Sequence, residues 1–152
     1  MFPARLSIAS LCHSDTAVRQ GIDNKPDAAQ LINLGRVQQK LYECELLLGQ
    51  PIFVSSGFRC AELNLAIGGS KTSDHCNGLA ADWSCPDFGT PLEVCQRLVE
   101  VGLKDFDQLI YEGTWVHLGI GVRMREQLLT ARFSRDAATG RKRTTYENGI
   151  NP

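Results

Sequence analysis

The residues best suited to chemistry in this 152-residue chain lie in two short segments. Ser73-Asp74-His75-Cys76-Asn77-Gly78-Leu79-Ala80-Ala81-Asp82 sets an imidazole seven residues ahead of a carboxylate, with a glycine between them. Trp115-Val116-His117 supplies a second imidazole, so two of only three histidines fall in these segments. Imidazole nitrogen and carboxylate oxygen both bind Zn2+, and a catalytic zinc takes three protein ligands with water in the fourth position. His75, Asp82 and His117 would meet that requirement. Residue types alone leave open the alternative that the three are unrelated side chains. His13, after Leu11-Cys12, reads as a helix-end or partly buried histidine, and Cys76, directly after His75, as a thiol instead of a ligand.

Three ligands work together only if the fold brings their segments to one place. Gly78 to Ser84 is apolar enough for a buried strand carrying Asp82, with His75 entering from the preceding loop and Gly78 allowing a tight turn. Gln108 to Tyr111 and Trp115 to Ile120 flank Glu112-Gly113-Thr114, which predicts a hairpin with His117 on its second strand. Trp83 follows Asp82 and therefore faces the opposite side of the sheet, toward a core. Asn24-Lys25-Pro26-Asp27 predicts a helix start with Pro in the first turn. Leu31, Leu34, Val37 or Gln38, Leu41, Cys44 and Leu48 then recur at helical spacing up to Gly49. Residues 51–56 read as a strand and 60–67 as a helix ended by Gly68-Gly69. Thr90-Pro91-Leu92-Glu93 is a capping box that opens a helix to about Val101. Segments around 128–133 and 142–146 read as further strands. Helices and antiparallel strands in this order predict an α+β domain.

Composition sets the bounds. A chain of this length makes one domain, able to bury roughly 70% of its unfolded surface without crosslinks. Sixteen basic against 17 acidic side chains give a formal charge of −1, and no electrostatic case for nucleic acid. The balance is uneven, however: residues 1–122 carry 9 basic and 14 acidic side chains, whereas 123–143 carry 7 and 2. That later segment (Arg123, Arg125, Arg132, Arg135, Arg141, Lys142, Arg143) reads either as a solvated face or as a patch drawn to an anionic surface. The six cysteines contain no CxxC pair and no zinc-finger spacing, and read as mostly reduced, structural thiols. No apolar run reaches the roughly 20 residues of a membrane span. MFPARLSIASLCHSD lacks the parts of a secretory signal, so the expectation is a protein made in, and first confined to, a cytoplasm.

S-x-H-x-x-G-x-A-x-D, matched at every fixed position from Ser73 to Asp82, and the later W-x-H at Trp115 and His117 resemble the zinc D-alanyl-D-alanine carboxypeptidase family. That family includes D,D-dipeptidases and phage L-alanyl-D-glutamate endolysins. Ser56-Gly57-Phe58-Arg59, Leu63-Asn64 and Gly68-Gly69 look like its S-G-[FY]-R, LN and GG block, in the same order. The likeness covers roughly residues 50–120, with weaker similarity in TAVRQGIDNKP and KRTTYENG. It implies one compact domain over 1–152, a small antiparallel sheet flanked by helices, similar to the D,D-peptidases and the hedgehog signalling domain.

The resemblance also implies one Zn2+ per chain on His75, Asp82 and His117, acidifying a water and polarising a scissile carbonyl. Glu112, in the hairpin loop before the third ligand, is then the expected base. Many family members place an acid three residues before the last histidine, where this chain has Thr114. Asp107 and Asp74 read as turn or surface carboxylates. Arg59 is expected to bind a substrate carboxylate or to stabilise the oxyanion. Ser73 either donates to substrate or caps the next turn, and Trp115 either walls the cleft or fills the core.

The implied protein is a monomeric peptidase of peptidoglycan stem peptides, with no nucleic-acid partner and no membrane span. A phage or prophage L-alanyl-D-glutamate endopeptidase comes first, reaching the cell wall from the cytoplasm once the membrane is breached. A D-Ala-D-Ala carboxypeptidase is the alternative, as is a catalytically silent wall-binding or virion structural protein on the same zinc fold.

Overall fold

Side-chain hydrogen bonds decide where the main helices begin. Asp27 accepts from the Gln30 backbone N–H while the Gln30 side chain accepts from the Asp27 N–H, a reciprocal cap that starts the longest helix at Ala28. Pro26 therefore lies outside that helix, not in its first turn. Gly49, left-handed at φ 66°, ends it as its position predicts. Thr90 and Glu93 form a second reciprocal cap, with Pro91 in the first turn.

The computed structural model describes residues 2–152. In chain order the elements are α1 (Ile8–Cys12), α2 (Asp15–Gln20), α3 (Ala28–Leu48), β1 (Phe53–Ser56), α4 (Ala61–Ala66), β2 (Ala80–Ser84), α5 (Pro91–Glu100), β3 (Gln108–Tyr111), β4 (Val116–Gly119), β5 (Gln127–Arg135) and β6 (Lys142–Asn148). Single 3-10 turns occupy Ala4–Leu6 and Asp74–Asn77. Apart from the helix end read at His13, nothing in the sequence marks α1 and α2, because helices this short cannot show a helical period.

The strands form one six-stranded sheet in the order β1-β2-β4-β3-β5-β6. Neighbours are antiparallel except β3 and β5, so the expected antiparallel sheet with flanking helices carries one parallel pairing. The reason is topological. β4 runs back beside β3, so the chain leaves it at the level where β3 began and enters β5 in the direction of β3.

Alternation along the strands gives the sheet two unlike faces. Ala81, Trp83, Leu109, Val116 and Leu118 belong to one core cluster with Leu11 of α1, Leu34, Val37, Leu41 and Cys44 of α3, and Val94, Cys95 and Leu98 of α5. Trp83 is fully buried there, on the side away from Asp82. On the other face the register sets Ser56, Asp82, His117, Ile110 and Leu129 in one row across five strands. Only a small apolar cluster of Ile110, Leu129 and Ala131 is buried on this side. Cys44, Cys85 and Cys95 are buried, and burial pushes the Cys95 thiol up to about 12. No helix among the described residues is long and apolar enough to cross a membrane.

Candidate metal centre

Pairing of β2 with β4 sets Asp82 directly against His117. His75 reaches the same place from the 3-10 turn before β2. Gly78 reverses the chain between turn and strand at φ +68°, where a Cβ would lie 2.7 Å from the Gln30 carbonyl oxygen. His117 Nδ1 stands 2.9 Å from Asp82 Oδ1, and His75 Nε2 stands 3.2 Å from the same oxygen. One donor atom from each residue falls within 4.8 Å of the other two. Two imidazoles and a carboxylate converging this closely form a donor set suited to a divalent cation.

Each donor is aimed by a neighbour. A carbonyl can only accept, so the 2.7 Å contact between His75 Nδ1 and the Gly57 oxygen fixes the proton on Nδ1 and leaves Nε2 bare toward the cluster. Arg59 donates from Nη2 to Asp82 Oδ2 at 2.8 Å and from Nε to Ser56 Oγ at 2.9 Å, which turns the other Asp82 oxygen toward the histidines. Burial alone would raise the Asp82 carboxyl, but the hydrogen bond from His117 and the close approach of the His75 ring outweigh it and hold it well below the usual carboxylate range. Burial lowers His75. Burial pulls His117 down as well, yet the Asp82 hydrogen bond and charge, with Glu112 behind them, raise it. A cation needs neutral imidazoles, so loading the site releases a proton from His117 when that ring is charged.

The loops that carry these groups are packed without slack. A Cβ on Gly57 would lie 2.1 Å from the Leu11 carbonyl oxygen, because the end of α1 presses on this loop. Asn24 clamps the same loop, donating to the carbonyls of Cys12 and Phe58 and accepting from the Cys60 N–H. Asn64 is buried and donates to the Ser70 carbonyl, and its Oδ1 would lie 2.1 Å from a Cβ on Gly69. Gln30 and Asn33 of α3 donate to the carbonyls of Cys76 and Asn77, fixing the turn that holds His75. Sequence reasoning missed Gln30 and Asn33, because polar residues on the outer side of a helix leave no spacing signal.

Glu112 lies two residues beyond Ile110 on β3, so its side chain emerges on the face that carries His117. It lines a cleft of about 350 Å3 together with Ser73, Asp74, His117, Arg123 and Tyr146. Burial raises its carboxyl above the ordinary value, and Asp82 adds to this against an opposing pull from His117. Ser73 precedes the 3-10 turn without capping it through its hydroxyl, and faces the cleft. Trp115 shares the face of His117, stays outside the helix-packed core, and sits with its ring 6.1 Å from that of Phe133. Asp107 is a correction: it is not a surface carboxylate but is 1% exposed. Arg125 grips it with two 2.8 Å side-chain bonds and a 3.0 Å backbone bond, and that saturation is what makes its burial tolerable. Asp74 is half-buried on the cleft. His13 is the helix-end residue of the two expected readings, capping the C-terminus of α1, with its side chain exposed and paired with Asp15.

Residues 4–119 match the family model described as Peptidase M15. The chain belongs to this family. No curated protein matches it. The M15 segment starts well before residue 50, where the short motifs begin, so α1 to α3 with their grip on the Gly57 loop are part of the family unit. His75, Asp82, Glu112 and His117 all lie inside it. The segment ends at the last residue of β4. Arg123, Arg125, Tyr146 and the KRTTYENG stretch lie beyond it, although the first three line the cleft of the M15 site.

Proposed function

We propose that this M15 peptidase uses one zinc ion to hydrolyse a peptide bond in the stem peptides of bacterial peptidoglycan. The observation that carries the reading is the convergence of His75 Nε2, Asp82 Oδ1 and His117 Nδ1 beside a cleft that also presents Glu112. His75, Asp82 and His117 would hold the metal. Zinc supplies a Lewis acid that lowers the pKa of water and polarises the scissile carbonyl. Glu112 accepts the proton of the attacking water and returns it to the leaving nitrogen. Its raised carboxyl makes it a stronger base toward the water proton than an ordinary glutamate, and brings it nearer the operating pH, where a group can serve in both forms. Arg59 keeps Asp82 oriented, and Ser73 faces the substrate.

An endopeptidase is favoured over a carboxypeptidase because Glu112 lines two openings, the 350 Å3 cleft on one side and a groove along Trp115 and the β5–β6 ribbon on the other. A peptide can continue past the scissile bond in both directions. Within the family this corresponds to L-alanyl-D-glutamate endopeptidases, phage or prophage lysis enzymes that accumulate in the cytoplasm and meet the wall after membrane breach, here as a monomer. Mass spectrometry of purified peptidoglycan after incubation tests both bond and activity. Fragments split between L-alanine and D-glutamate are expected. Loss of a terminal D-alanine alone would make the enzyme a carboxypeptidase, and intact stems with zinc-loaded protein would sink the peptidase reading.

A further inference from the structure

We infer that the β5–β6 ribbon carries a second subsite, which holds a carboxylate-bearing stretch of the same stem peptide whose bond lies at the metal; this rests on the peptidoglycan reading. The ribbon lies beyond the family-matched residues. Between it and the β3–β4 loop runs a groove of about 700 Å3. The floor of the groove is aromatic: Trp115 is half-buried, and Phe133 is 56% exposed. The rim carries Arg135, Lys142 and Arg143, all exposed.

Two facts argue that this rim awaits an anion. Elsewhere in the basic segment Arg125 pairs with Asp107 and Arg132 with Glu147, whereas Arg135, Lys142 and Arg143 pair with no acid among the described residues. The ladder also sets Arg135 directly across from Lys142. Like charges facing each other across strands cost stability, and an anion shared between them removes that cost. A guanidinium or ammonium beside an exposed aromatic ring fits a carboxylate on a short apolar stem.

Continuity names the occupant. Glu112 forms the inner end of the groove and also lines the metal cleft, so whatever lies along the ribbon continues the chain being cut. The source is therefore the stem peptide and its carboxylates, not the phosphates of attached wall polymers.

Co-sedimentation with insoluble peptidoglycan stripped of phosphate polymers tests this, in a Glu112→Gln background that spares the substrate. Phe133→Ala and the pair Lys142→Glu/Arg143→Glu should each weaken binding about tenfold, the pair also removing most of the salt dependence. Phe133→Tyr should bind as the parent does, and unchanged melting temperatures certify the fold. With Glu112 restored, the same ribbon variants should raise KM on whole peptidoglycan about tenfold while kcat stays within about twofold. Parental binding by both ribbon variants, alongside wild-type cutting, overturns the subsite and leaves the peptidase standing. Binding that survives only with phosphate polymers attached, or variants that lose double-stranded DNA instead of peptidoglycan, also overturns it. A wild-type protein that neither binds nor cuts peptidoglycan removes both readings together.

Discussion

Strands β2 and β4 and the β5–β6 ribbon share one sheet but treat charge in opposite ways. In the first region the charged and metal-facing groups are spoken for: Asp82 has Arg59 on one oxygen and the histidines on the other, and His75 is pinned by a backbone carbonyl. In the ribbon every residue of β6 is exposed, and at its far end Arg135 faces Lys142 with no acid paired to either. The contrast separates two tasks. Holding a cation demands fixed donors, so that part is buried and crowded. Receiving a long anionic chain demands reach and solvent access, so that part is open.

The comparison breaks most completely at the buried end. His117→Ala leaves two ligands; bound zinc should fall from about one per chain to near zero and hydrolysis to background, read by metal analysis alongside turnover. Glu112→Gln should keep the metal but lower turnover by about 10²–10⁴-fold. In the unaltered enzyme the base works only when ionised, so kcat/KM should rise with pH through the Glu112 pKa. Its acid limb should lie above 4.5, the ordinary glutamate value, and vanish in the variant. Gly57→Ala touches no ligand, yet its Cβ collides with the Leu11 carbonyl and shifts the oxygen that orients His75. Zinc affinity should drop by about 10–100-fold in a competition titration. The open end should scarcely respond in stability: Arg143→Ala, on a fully exposed strand, should change unfolding free energy by less than about 0.5 kcal/mol in urea. A large loss there would mean that the ribbon is structural and would erase the contrast.

Much of the buried end could be read from the residues. The spacing from His75 to Asp82 straddles a strand start, and Trp83 beside Asp82 reports which face is dry, so the two-faced strand follows from alternation. The hairpin that presents His117 follows from apolar runs around Glu112-Gly113-Thr114. Contacts between distant residues did not follow. Asp107 looked like a turn carboxylate because its partner, Arg125, lies 18 positions away beyond β4. The grip of Asn24 on the Gly57 loop spans 34 positions, and no local pattern marks an asparagine that bridges two loops. Direction failed as well: strand propensity around 128–133 contains nothing that says β5 pairs in parallel with β3.

That parallel pairing limits how far the protein can be trimmed. A fragment stopped at residue 119 would contain all the metal donors and Glu112, yet it would uncover the outer edge of β3 along Gln108–Tyr111. A bare edge of unpaired N–H and C=O groups templates strands from other molecules. Such a fragment should self-associate, visibly in light scattering, while the chain carried through β6 does not. The smallest workable unit for engineering therefore includes β5 as a fender on the catalytic sheet.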